Sequence, residues 1–165
     1  RSKIVVSYWL GFACVATLLA MPTIVIMWIV GIIDMIGYFY WAASLLLETW
    51  LVVAIALFAA FTLRSATSSV LMSLGFYTLS RMIGFFTATA KSGILFGDYR
   101  INMVFRWVID AISMVLPRLD FFGKSNWLIY GPAHSNDLHF FAIQAAIFIP
   151  LLIVASIIDF KRKQF

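Results

Sequence analysis

Residues 4–33 form a run of 30 amino acids without one charged side chain, bounded by Lys3 and Asp34. A bilayer core of about 30 Å is crossed by about 20 helical residues, so this run spans with length to spare. Its length, the internal Pro22 and the absence of a small-residue cleavage site argue against a secretory signal. The whole chain shares the bias: 64% of its 165 residues are hydrophobic and 12% charged, with mean hydropathy +1.01. Soluble domains run nearer half apolar and a quarter charged, so the chain belongs in a membrane. A single cysteine argues against a disulfide scaffold, and the few, scattered basic residues argue against nucleic-acid binding.

Three further runs follow. Residues 31–37, with Asp34, read as a turn; a second span covers 38–63 with one charge, Glu48; the polar string 64–69 connects to a third span, 70–90, also with one charge, Arg81. The last span, 140–158, is uncharged and carries Pro150. These predict an all-α membrane bundle, one transmembrane domain over 1–165. Arg1, Lys3, Arg64 and Lys161 to Lys163 fall on one side if four spans cross, which by the positive-inside rule puts both termini in the cytoplasm.

Residues 101–116 form a shorter helix whose polar members, Asn102, Arg106, Asp110 and Ser113, make one narrow stripe. Its length of about 24 Å is marginal for crossing, and a fifth crossing would export the basic tail. It reads as an interfacial or re-entrant helix on the outer side, stopped by Pro117, with a packed fifth span as the alternative. Arg106 and Asp110 have the spacing to pair. Residues 117–139 read as a packed outer loop, because Phe121, Phe122, Trp127 and Tyr130 are too apolar for a free linker.

Glu48 and Arg81 are the informative charges, since ionised groups inside spans face a partner or a watery path. Glu48 lies 16 residues before Arg64 and Arg81 lies 17 after it. A helical hairpin turning there brings the two to one depth. A helix-to-helix ion pair is preferred over a proton or substrate relay, because the charges compensate and no further carboxylates continue a path. On that reading, replacing both with apolar residues disturbs assembly less than replacing either alone.

No catalytic residues are visible. Gly123-Lys124-Ser125 ends like a phosphate loop, but Arg118 stands where the loop needs glycine. His134, Asp137 and His139 are too loosely spaced to predict a metal site. Cys14 is expected as a small packing residue in the first span. Tyr8, Trp9, Trp28, Tyr38, Tyr40 and Trp41 are expected as interfacial anchors. Ala56 and Ala60, Ser69 and Ser73, and Ala142 and Ala146 have the spacing of close helix contacts.

The order of these features resembles the ABC-2 type transporter permeases. Ser7-Tyr8-Trp9-Leu10-Gly11 after Arg1 and Lys3 is similar to the family's basic residue and Gly-Lys-x-x-Gly entry, with Gly11 as the second glycine and Ser7-Tyr8 in place of Gly-Lys. The second span, ending Phe61-Thr62-Leu63 before the Ser/Thr-rich turn 65–69, resembles the family helix at that place. So does the third, Leu71-Met72-Ser73-Leu74-Gly75-Phe76-Tyr77-Thr78-Leu79-Ser80-Arg81, an apolar run interrupted by a polar residue. Val115-Leu116-Pro117-Arg118-Leu119-Asp120-Phe121-Phe122 is similar to the family's LP-x-L-x-x-F segment, Ile129-Tyr130-Gly131 to its YG, and the ending Phe160-Lys161-Arg162-Lys163-Gln164-Phe165 to its basic-aromatic tail.

The resemblance implies an exporter subunit in the bacterial inner membrane, with no enzymatic activity of its own. ATP and Mg would be held by separate ABC ATPase subunits, and a second permease copy or homologue would complete the path. Family members usually have six spans and a cytoplasmic coupling helix. This chain, starting at Arg1 without Met, is expected to be the C-terminal two-thirds, with two spans upstream. The alternative from another class is a non-transporting anchor or scaffold subunit; a weaker one is a proton-coupled carrier using Glu48.

Overall fold

The computed structural model of the chain describes residues 2–30, 34–92, 99–131 and 136–162. They form helices α1 (Ser2–Val30), α2 (Met35–Thr62), α3 (Ala66–Ser92), α4 (Tyr99–Val115), α5 (Trp127–Tyr130) and α6 (Asn136–Arg162), with a 3-10 turn at Leu119–Phe121. Four of these, α1, α2, α3 and α6, are long and apolar enough to cross a membrane. The fold is all-α, and the chain is an integral membrane protein.

The side chains are arranged as a bilayer solvent dictates. Leu18, Ile29, Leu71 and Phe85 point outward, whereas Ser44, Ser69, Thr87 and Ser156 are buried. Without water inside, a buried hydroxyl needs a protein acceptor. Ser44 donates to the Trp41 carbonyl, Thr87 to Ile83 and Ser156 to Leu152, each at 2.7–2.8 Å. Small hydroxyls thus pack like alanine and let the helices approach closely.

The centre of the bundle is α2. Leu51, Ala54 and Ile55 pack with Phe141, Ala145, Ile149 and Leu152 of α6 in one buried cluster. Ser69 of α3 donates across to the Ala59 carbonyl of α2 at 3.2 Å, at the end where these helices turn. Two bonds pin α1 to α2: Trp50 Nε1 donates to Thr17 Oγ1 at 2.9 Å, and the Tyr38 hydroxyl donates to the Ile24 carbonyl at 3.0 Å.

Several elements differ from the sequence expectation. The 31–37 turn is shorter, because Asp34 caps α2 by accepting from the Gly37 N–H at 2.7 Å, and the helix begins at Met35. The polar connection 64–69 is likewise mostly helical, since α3 starts at Ala66. Residues Asn136 to His139, expected in the loop, open α6. Tyr38 and Trp41 are not interfacial anchors but buried core residues, sharing the cluster with Trp127 of α5. Cys14 is exposed on α1 and does not pack inward.

The segment after α3 does not stay at one end of the bundle. From α4, which packs on α3, the chain turns at Pro117, and Leu119, Phe122 and Trp127 are buried against α2, α3 and α6. Asp120 sits against Gly84 of α3, and the Trp127 carbonyl sits against Gly37 of α2. The 3-10 turn therefore lies about two helical turns inside the end of α3, and α5 climbs back towards the start of α2. This limb is re-entrant.

A Cβ added to Gly37 would collide with the Trp127 carbonyl, whereas Gly11 has no atom within 4 Å of that position. Gly37→Ala should destabilise the protein by about 1–3 kcal/mol, the usual cost of overpacking, while Gly11→Ala changes stability by about 1 kcal/mol or less. Melting in neutral detergent, followed by circular dichroism, distinguishes the two; equal behaviour would contradict the packing of α5 on α2.

Candidate functional site

Glu48 is the fourteenth of the 28 residues of α2, and Arg81 the sixteenth of the 27 of α3. Each stands near its helix midpoint, where a bilayer offers no water to either charge. They meet: Arg81 Nη1 lies 3.0 Å from Glu48 Oε1. The Tyr77 hydroxyl, one turn before Arg81, donates to the same oxygen at 3.4 Å.

The pair also reaches a third element. Arg81 Nη1 donates to the backbone carbonyls of Leu119 at 2.9 Å and Phe122 at 3.2 Å. Beside it the Gly123 N–H donates to Ser44 Oγ of α2 at 3.1 Å. Backbone outside a helix is tolerated at membrane depth only where the protein satisfies its polar groups. Arg81 and Ser44 do so for the deepest part of the limb. Gly123 adopts φ +60, a left-handed conformation that a side chain would strain, and this lets the chain reverse beside the ion pair.

Over α2, between α1 and α3, lies a cleft of about 680 Å³. Ala16, Leu19, Ala20, Leu45, Val52 and Val53 give it apolar walls; Glu48, Thr49, Tyr77, Arg81 and Ser125 give it a polar floor. The two charges are unequal there: the Arg81 side chain is 40% exposed and Glu48 only 9%. The cleft therefore presents mainly the cation.

The stripe on α4 stands elsewhere. Arg106 and Asp110 are exposed, and the ion pair that their spacing allows is not formed; Ser113 donates to the Asp110 carbonyl at 2.8 Å. The side chain of Asn102 lies outside the described residues. None of the three described members lines the cleft. Lys124, in the segment that imitates a phosphate loop, lies over the rings of Phe121 and Trp127 at 4.8 and 5.6 Å. His139 is exposed, His134 lies outside the described residues, and no group of three metal-ligating side chains occurs among those described.

Sequence spacing brings out Glu48 and Arg81 but misses Ser44, Tyr77 and Gly123. Ser44 and Gly123 are 79 residues apart, and their bond has no local signature. The available signal was weak: a serine one turn before Glu48, and a glycine in a loop too apolar to be free.

The geometry alters the expectation that removing both charges is milder than removing either. Without Arg81, two loop carbonyls lose their donor whether or not Glu48 remains. Arg81→Leu should cost about 3 kcal/mol, the scale of a lost charge-assisted network, Glu48→Leu clearly less, and the double variant an intermediate amount. Unfolding in mixed micelles measures the three; a double variant as stable as Glu48→Leu would show that the carbonyl contacts contribute nothing.

Comparison with family models, curated proteins and solved structures returns no match.

Proposed function

We propose that the chain is a permease subunit of an ABC-2 type exporter, set in a bacterial inner membrane with both termini in the cytoplasm. Partner ABC ATPase subunits bind ATP and Mg and hydrolyse the nucleotide, and a second permease copy or homologue faces this one. The observation that carries the reading is a guanidinium at mid-helix, 40% exposed on an open cleft. A charge at that depth costs about 2.5–3.5 kcal/mol against lipid, so the cleft faces water or another subunit. A structural ion pair alone would be sealed on all sides. A transport path shared between two halves leaves one side open in the isolated half.

The ordered resemblance along the chain supports the same reading. The re-entrant limb fits it too, since irregular backbone inside a membrane is a recurrent feature of transport sites. In this scheme α4 lies on α3 beside the path, with Arg106 and Asp110 exposed.

The test isolates the protein from native membranes and follows a cysteine in the cleft. In a Cys14→Ala background, Thr49→Cys should react with a charged methanethiosulfonate reagent, whereas lipid-facing Phe85→Cys should not. ATP with vanadate should change the rate at position 49 several-fold in the isolated complex, which should contain an ATPase subunit in fixed proportion. A constant partner without nucleotide hydrolysis, and a rate that nucleotide leaves unmoved, would replace this proposal by the anchor or scaffold reading.

A further inference from the structure

The bonding of Arg81 is lopsided. Glu48, Leu119 and Phe122 all accept from Nη1, whose two hydrogens are shared among the three. Among the described residues no acceptor bonds to Nε or Nη2. Those two nitrogens form one edge of the planar guanidinium, and that edge matches two oxygens of a carboxylate or phosphate side by side. Glu48 is held on the other nitrogen, so the edge keeps its own donors while the charge stays anchored. Gly123 packs beside the pair, where a Cβ would stand 3.3 Å from Glu48 Oε2 and in contact with Nη2 at 3.8 Å, so the absence of a side chain there keeps the edge from being crowded further.

The surroundings select what carries the oxyanion. Ala16, Leu19 and Ala20 of α1 and Leu45, Val52 and Val53 of α2 make the walls largely apolar, with Thr23 and Trp41 as the polar side chains among them. The volume, about 680 Å³, lies in the range of small-molecule sites, about 300–1,000 Å³. A small hydrated anion would lose its water to these walls and gain one fork. An acyl chain gains from the same walls.

The geometry points to a binding site for an anionic amphiphile: an acyl-chain molecule whose carboxylate or phosphate head sits on the Nε and Nη2 edge of Arg81, with its chain along α1 and α2. This deepens the reading of the cleft as a transport path, and rests on it only in making the amphiphile the cargo. Binding itself needs no ATPase.

Native mass spectrometry of the protein in neutral detergent tests it, with oleoyl lysophosphatidate, monooleoylglycerol and inorganic phosphate as probes. Lysophosphatidate should bind about tenfold or more tightly than monooleoylglycerol, the scale of one charge-assisted contact, and inorganic phosphate should bind weakly. Arg81→Lys, which keeps the charge and loses the fork, should remove most of that preference. Because this variant also disturbs the loop, Ala16→Phe provides a second arm: it narrows the cleft without touching Arg81 and should weaken lysophosphatidate several-fold. Equal affinity for the charged and neutral lipids would overturn the inference and leave the fork to a partner subunit's carboxylate. Phosphate binding as tightly as lysophosphatidate, or an Ala16→Phe protein that binds normally, would overturn the acyl-chain assignment. Failure of ATP coupling with lipid preference intact would instead count against the exporter reading alone.

Discussion

Arg81 is the constraint on which the rest of the structure depends. A chain that leaves α-helical geometry at membrane depth must find donors for its carbonyls, and lipid supplies none. Here a single guanidinium nitrogen serves Leu119 and Phe122 while holding Glu48. The ion pair and the re-entrant limb are therefore one device. The limb gives the charge polar partners at mid-depth, and the charge lets the limb descend that far.

Around this device the bundle divides into a closed and an open side. On one side α2, α6 and α5 close over Phe122, Trp127 and Phe141, whose rings meet in tilted pairs. On the other, α1 packs along α2, bonded through Thr17 and Ile24 and with Trp9 and Met27 against the core, and leaves the cleft beside α3 open. A half-exposed cation and an open wall are costly against lipid and tolerated where water or another polar group meets them. The same asymmetry sets the polarity of the cleft, because Glu48 is buried behind the cation it neutralises.

Much of this was legible in the sequence because it rests on spacing along single helices. Long apolar runs with at most one charge each mark the four long helices, and counting from Arg64 in both directions places Glu48 and Arg81 at one depth. What stayed hidden depends on contacts between distant segments. Tyr38 and Trp41 look like interfacial anchors from their position near a helix start, and only the return of Trp127 over them makes them core. Ser44 has an ordinary bond to its own helix, and its second role depends on Gly123 arriving beside it. Likewise, an arginine–glutamate pair can be inferred from register, but carbonyls bonded to the same nitrogen cannot, because every residue has one. The ends of α2, α3 and α6 moved by a few residues for a simpler reason: polar caps and first-turn serines read like loop in a sequence this apolar.

The central claim is that the segment after α4 reaches the middle of the membrane beside Arg81. The most direct measurement is the depth of a spin label at Ser125, introduced as Ser125→Cys in a Cys14→Ala background and read in lipid vesicles from the relative accessibility to oxygen and a water-soluble nickel complex. The account predicts a depth matching a label at Thr49, well below the headgroups, and a shift towards the surface when Arg81→Leu is added. A label at headgroup level with Arg81 intact would contradict it.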